Sequence, residues 1–279
     1  MNRGARRAIG VAAAIAVWLV GGVASAQVPK TLTDFGSPIY PAFEGWYLNG
    51  DGTATILIGY FNSNQDQAVD LSIGESNYFS PGEQDRGQPT YFEIGRAWGA
   101  FSVQVPEDFD GELSWTLAGN DQPVTIPFHL DPSYFVEPLK DAANNNEPPT
   151  IRFSQSGTGV TGPPIGIAHS MTASAGAPTE LSLWLSDVTP DTHVRENRRR
   201  RRATMELRWH VVRGPGVAVF DESRYRLEST DLQNVVTTAT FDTPGTYWLR
   251  AEALDATGEG GSGFQCCWTS ALIEVQVGS

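Results

Sequence analysis

Cys266 and Cys267 are the only cysteines of the chain, and they are neighbours. Thiols so placed admit three chemistries. They can pack as structural thiols in a turn, close a ring disulfide on each other, or serve as a thiolate pair for a soft metal, a redox step or an intermolecular bond. A disulfide between two distant strands cannot be built from them, and two residues do not make a four-cysteine zinc site. Phe264 and Trp268 flank the pair, and no Lys, Arg or His lies within ten residues of it. With no cation nearby in sequence to favour the thiolate, the expected role is structural. If the last strand runs unbroken back from Val277, odd positions face inward, which turns Cys267 in and Cys266 out.

Charge is the second chemical resource. Arg198, Arg199, Arg200, Arg201 and Arg202 form a run, with Arg195 close by. Such a run repels itself and stays solvated on a loop. It could be a mobile segment, a protease site, or a docking patch for a polyanion such as lipopolysaccharide or the acidic face of another domain. Two acidic loops, Asp187 with Asp191 and Asp255 with Glu259, could gather oxygens for calcium, which takes six to eight; ordinary capped turns use the same residues. The loop at 80–90, Ser-Pro-Gly-Glu-Gln-Asp-Arg-Gly-Gln-Pro-Thr, is too polar for a strand. It is expected to be ordered, with Asp85 and Arg86 paired or bonded to backbone, and Asp85, Arg86 and Gln88 are its candidate binding residues. Trp46, Tyr47, Tyr91, Phe92 and Trp98 could stack on sugars if exposed together; the competing use of such rings is core packing.

No Gly-x-Ser-x-Gly elbow, His-Glu-x-x-His helix or phosphate loop is present. His129, His169, His193 and His210 have no metal-ligand spacing, and His129 and His210 alternate with apolar positions as outward strand residues would. The carboxylates are too many to single out a glycosidase pair. The formal charge is −13, carried mainly by residues 27–147, where four basic and eighteen acidic residues give −14. An acidic first half argues against nucleic acid or an anionic membrane as partner.

These residues need elements to position them. Arg3, Arg6 and Arg7, the apolar run at 8–23 and Ala24-Ser25-Ala26 read as a secretory signal peptide ending at 26, with no membrane span in the mature chain. Beyond it, period-two patterns recur. In the first half these are Trp46-Tyr47-Leu48 before Asn49-Gly50-Asp51-Gly52, an apolar run at 54–61, then 69/71/73, 101/103/105, 113/115/117 and 124/126/128/130. In the second half they are 181/183/185, 207/209/211, 217–220, 235–241, 247/249/251/253 and 269–277. Asn144-Asn145-Asn146-Glu147-Pro148-Pro149 separates the halves as a short stiff spacer. The expected fold is all-β, with two Ig-like sandwiches at 27–143 and 150–279 joined by 144–149.

Phe241-Asp242-Thr243-Pro244-Gly245-Thr246-Tyr247-Trp248-Leu249 places a tyrosine just after a Pro-Gly corner, and Trp209 stands where a core Trp of the third strand would be. From about residue 149 onward the chain thereby resembles PKD domains, which are extracellular Ig-like modules; the arginine run departs from their pattern. Gly59-Tyr60-Phe61-Asn62, Pro81-Gly82 with Asp85-Arg86-Gly87-Gln88-Pro89-Thr90, and Gly263-Phe264-Gln265-Cys266-Cys267-Trp268-Thr269 resemble segments of exported bacterial proteins that pair two Ig-like domains. The resemblance implies architecture and no mechanism. The expected function is non-catalytic binding or scaffolding in the periplasm or outside the cell, at the cell envelope, with a protein or glycan partner and no cofactor, calcium excepted. The alternative is a carbohydrate-binding accessory module or a subunit of a polysaccharide-active enzyme.

Overall fold

A computed structural model describes residues 36–137, 146–188, 205–258 and 266–279. The chain is all-β, with seventeen strands among these residues and one 3-10 turn at Pro132–Tyr134. Residues 1–26, expected to be a signal peptide, and the arginine run lie outside the described residues. No helix among the described residues is long and apolar enough to cross a membrane.

The first half opens with a hairpin. β1 (Ile39–Leu48) pairs antiparallel with β2 (Thr53–Asn62). Gly50 and Gly52 in the connecting turn have φ of 76° and 87°, a region closed to most side chains. β2 also pairs with β6 (Gly95–Pro106), which makes it central and explains an apolar run with no polar face. A second layer orders β4 (Asn77–Ser80), β7 (Leu113–Gly119) and β8 (Gln122–Phe128). β3 (Val69–Asp70) pairs with β5 (Tyr91–Phe92). The alternation expected through Ile73 stops at Asp70, and the chain there turns toward β4. The fully buried Trp115 centres the core, stacked 6.0 Å from Phe79 and edge-on 5.0 Å from Phe101. Its Nε1 donates to Asn77 Oδ1 at 2.9 Å. The buried Asn77 amide in turn donates to the carbonyls of Leu71 and Pro89. One side chain thus satisfies an indole and two buried loop carbonyls.

The second half builds two larger layers. β10 (Ile167–Ser174), β17 (Trp268–Gly278), β16 (Gly245–Asp255), β12 (Met205–Arg213) and β14 (Arg224–Leu227) form a five-stranded sheet in that order. β13 (Ala218–Phe220), β15 (Gln233–Phe241), β11 (Pro178–Ser186) and β9 (Thr150–Arg152) form the other. β10 runs parallel to β17. Alternate residues of the facing strands fill a second core containing Trp209, Tyr247, Leu249, Ala251 and Ile273. The corner works as its sequence implies: Tyr247 packs on Phe241 at 4.8 Å and its Oη donates to Thr243 O at 3.0 Å.

Each half is a β-sandwich with its own core, and both belong to one compact unit. Strand β16 shows how. Past Trp248 it is buried on both faces, so Arg250, Glu252 and Leu254, which point away from their own core, are also shielded from water. The first sandwich covers them.

Candidate functional site

The joint between the sandwiches holds three buried charged side chains, Glu44, Arg250 and Glu252. On β16, the buried Arg250 Nη1 donates to Trp98 O of the first sandwich at 3.1 Å, to Glu252 Oε1 at 3.2 Å and to Ser270 Oγ at 3.3 Å. His210, beside them on β12, lies between two carboxylates. Its Nδ1 is 2.7 Å from Glu93 Oε2 of the first sandwich, and its Nε2 is 3.3 Å from Glu252 Oε2. The other Glu93 oxygen accepts the Val211 amide at 3.2 Å. Arg208 pairs with Glu206 at 2.5 Å and approaches Glu252 at 3.7 Å. On the first sandwich's side of the joint, Arg96 meets the buried Glu44 at 2.5 Å and lays its guanidinium 4.1 Å from the centre of the Trp98 ring. The second Glu44 oxygen accepts the Gly99 amide at 2.6 Å.

The electrostatics follow from burial and neighbours. Burial pushes Glu44 up to about 7, against the pull of Arg96 and the Gly99 amide. Glu252 pays the same penalty, yet Arg250, His210 and Arg208 overcome it and hold the carboxyl down to about 2. Burial and Arg250 push His210 down, but its bonds to Glu252 and Glu93 prevail and raise it above the ordinary imidazole value. Burial also pushes the Tyr60 phenol up; its oxygen accepts the Glu93 amide.

A second clasp lies further along β12. Arg213 grips Asp85 with both terminal nitrogens, at 2.9 and 2.7 Å, and its Nε donates to Gln88 O at 2.7 Å. Thr90 N donates to Val212 O at 3.0 Å. The 80–90 loop is therefore folded onto the second sandwich. Within it, Gly87 N donates to Asp85 Oδ1, Arg86 N to Gln88 Oε1, and Gln88 Nε2 to Gln84 O. Gln88 is completely buried, which corrects its reading as a ligand-binding residue: it holds the loop's own shape. Asp85 is paired, as expected, with a partner 128 residues away.

Residues of three sequence segments, Gly59-Tyr60, 81–90 and Trp268, meet at this joint. Gly59 leaves room for Glu44, since a Cβ there would overlap the Glu44 carboxyl and the Ala97 carbonyl. Tyr60 lines the cavity between the sandwiches, and 81–90 is the second clasp. Trp268 lies against Gly99. The cavity has a volume of about 60 Å³ and is bordered by Tyr60, Glu93, Arg96, Trp98, Arg208 and His210. It has room for a few waters and is several-fold smaller than ordinary ligand pockets.

The other expected residues fall as follows. Cys266 and Cys267 are joined by a disulfide, and both are buried. Cys266 therefore does not face outward. β17 begins only at Trp268, so its alternation does not extend to the pair, and Cys266 Sγ faces Asn146 O at 4.0 Å. Asp255 Oδ1 accepts from the amide and hydroxyl of Thr257, and its Oδ2 accepts from Asn146. Asp187 is buried at the end of β11, and its amide donates to Thr230 O. Asp191, Glu259, His193, Arg195, Arg198, Arg199, Arg200, Arg201 and Arg202 lie outside the described residues. Among the described residues no group of three or more His, Cys, Asp or Glu is placed to hold a metal ion. His169 stacks on Phe153 at 4.5 Å. Of the five aromatics proposed for sugar stacking, Trp46, Tyr47 and Phe92 are buried, and Tyr91 and Trp98 are half-buried, Trp98 with the Arg96 guanidinium over its ring. Exposed rings among the described residues include Tyr40, Phe61, Tyr134 and Phe135; Tyr134 packs beside Phe43 and His129, and Phe135 against Trp46.

Glu44, Glu93, Arg96, Arg250 and Glu252 escaped the sequence reading. The signal available was the charged pair Arg250 and Glu252 inside an otherwise apolar strand.

No family model and no curated protein matches the chain. Among solved structures it is similar to the D0-D1 domain of intimin, with 11% identity, 87% of this chain and 98% of that chain covered, and a TM-score of 0.26. For domains 4 and 5 of the S-layer protein SbsC the figures are 10%, 87%, 98% and 0.25. For a PapD-like domain of human CEP192 they are 13%, 55%, 99% and 0.31. At such scores the likeness carries no argument, and the fold reading rests on the strand order and the two cores.

Proposed function

We propose that this chain is an exported, non-catalytic binding or scaffolding protein of the cell envelope. Its two sandwiches, divided at 144–149, act as one rigid body that presents loops to a protein or glycan partner. The observation that carries this reading is the joint. Arg250, His210 and Arg213 of the second sandwich each bond to the first, and a large share of the buried charge is committed to that contact. Both imidazole nitrogens of His210 face carboxylates, so while the joint is closed the ring has no free nitrogen to serve a substrate. A leader at 1–26 supports export. A glycan and protein array probed with the purified full-length chain tests the reading: saturable binding without change in the bound molecule is expected, and turnover of any captured ligand would reject it.

Glycan binding is the specific form favoured by one observation, the exposed Tyr134 ring packed against His129 and the partly buried Phe43. Such rings offer apolar faces with polar edges. Tyr134→Ala is expected to abolish glycan capture and leave protein capture intact.

A further inference from the structure

The contact between the sandwiches contains a histidine whose hydrogen bonds only the charged ring can make. A neutral imidazole carries one N–H and one lone pair; the imidazolium carries two N–H groups. His210 directs Nδ1 at Glu93 and Nε2 at Glu252, and an ionised carboxylate can only accept. Two donors are needed, so the closed geometry belongs to the protonated ring. Once the ring is neutral, one carboxylate faces a lone pair.

We propose that the joint is a proton-operated clasp, in which protonated His210 ties Glu93 of the first sandwich to Glu252 of the second, and loss of its proton loosens the contact. The proposal rests on the rigid-body reading above and adds a control to it.

The surroundings determine which bond yields. Glu252 keeps Arg250 at 3.2 Å and Arg208 at 3.7 Å when the imidazole is neutral. Glu93 has the Val211 amide. The ring is faced from β16 by Arg250 and Glu252, from its own strand by Arg208, and from the first sandwich by Glu93. Tyr60, Arg96 and the Glu44 that Arg96 pairs with stand across the cavity. Arg250 and Arg208 repel the imidazolium while Glu93 and Glu252 attract it, and the raised position of the histidine shows the attraction prevailing. The sign follows. A base raised in the folded protein stabilises it fully below its unfolded value, and this stabilisation is lost as pH rises through the folded value. Glu44 acts in the same direction, because its buried carboxyl ionises near neutral pH at a cost to the folded state. The Arg213–Asp85 clasp, in which the arginine holds the Asp85 carboxyl below its usual range, keeps the chain from separating fully. The joint therefore tightens in mild acid and loosens toward alkaline pH.

Amide hydrogen exchange of the full-length chain at pH 5.5 and pH 8, corrected for intrinsic exchange rates, reads the clasp directly. Val211 and Thr90 donate across the joint, and Leu249 in the second core is the internal reference. Protection of Val211 is expected to fall about tenfold at pH 8 relative to Leu249, the scale of one charge-assisted hydrogen bond. His210→Gln, which keeps a donor and cannot titrate, is expected to abolish that difference. Glu93→Gln is expected to weaken Val211 protection at pH 5.5. Equal protection at both pH values, a fall shared by Leu249, or a pH difference that survives in His210→Gln would each overturn the clasp alone. Val211 and Thr90 unprotected at both pH values would overturn the rigid-body reading itself.

Discussion

Gly99 of the first sandwich lies directly under the indole of Trp268 of the second, so closely that a Cβ on Gly99 would overlap the ring. The Trp268 ring is fully buried although it belongs to neither main core, and its cluster partner is Leu254. It is the apolar plug of the joint, as Arg250 and His210 are its polar bonds. Gly99→Ala is expected to push the indole out and destabilise the fold by about 1–3 kcal/mol, the usual cost of overpacking. Gly99 also has φ of 45°, which adds strain for any side chain. Denaturant unfolding of the variant checks this; an unchanged midpoint would remove Trp268 from the joint.

Asp85 and Arg213 should be energetically coupled. The arginine is largely covered but half of the aspartate surface is in water, so screening keeps the coupling near about 0.5–1 kcal/mol. A double-mutant cycle with Asp85→Ala and Arg213→Ala measures it. Arg213→Ala alone should cost more than Asp85→Ala, because Arg213 also bonds Gln88 O and stacks 4.3 Å from the Trp248 ring centre.

Glu252 fixes the acid limb of the stability curve. Its carboxyl is held at about 2 against an ordinary 4.5, so the folded state binds that proton less readily than the unfolded chain. The stabilisation is complete above about pH 4.5 and is lost as pH falls toward 2, amounting to about 3 kcal/mol. Glu252→Gln should remove this limb and leave Arg250 short of its buried partner. Chemical denaturation from pH 2 to 6 compares the two proteins.

Glu44 acts with the opposite sign. Burial raises it to about 7, so ionisation costs the folded state progressively between pH 4.5 and 7 and by a constant amount above. Glu44→Gln, which can still accept from Gly99, should flatten the stability curve in that window. A difference curve between variant and parent that is level from pH 4.5 to 7 would refute the assignment.

Asn77→Leu should cost at least about 2 kcal/mol, since it leaves the Trp115 indole and two loop carbonyls without their bonds in a closed core. Thermal unfolding checks this.

Much of the architecture was legible along the chain because a strand with one wet face alternates, and alternation is local. Tyr247, Leu249, Ala251 and Ala253 declare one buried face, and Pro244-Gly245 before Tyr247 declares the corner. The spacing of the first-half strands likewise announces a sandwich. Alternation sorts side chains into those that face the strand's own core and those that do not; it is silent about what covers the second set. His210 was correctly placed pointing away from its core, and nothing near it in sequence announces Glu93, 117 residues earlier. Arg250 has its carbonyl partner at Trp98, 152 residues away, and Asp85 finds Arg213 at a distance of 128. The inside–outside assignment of Cys266 assumed an unbroken last strand, and β17 begins only at Trp268, so alternation says nothing of the pair. The sequence by itself determined strands, corners and two cores, since these follow from hydrophobic period and turn chemistry within a few residues. Only the tertiary structure decided that Trp98 and Gly99 of β6, with Asp85 and Glu93 before it, meet β12, β16 and Trp268, since burying a charge depends on partners that the fold alone brings within hydrogen-bond reach.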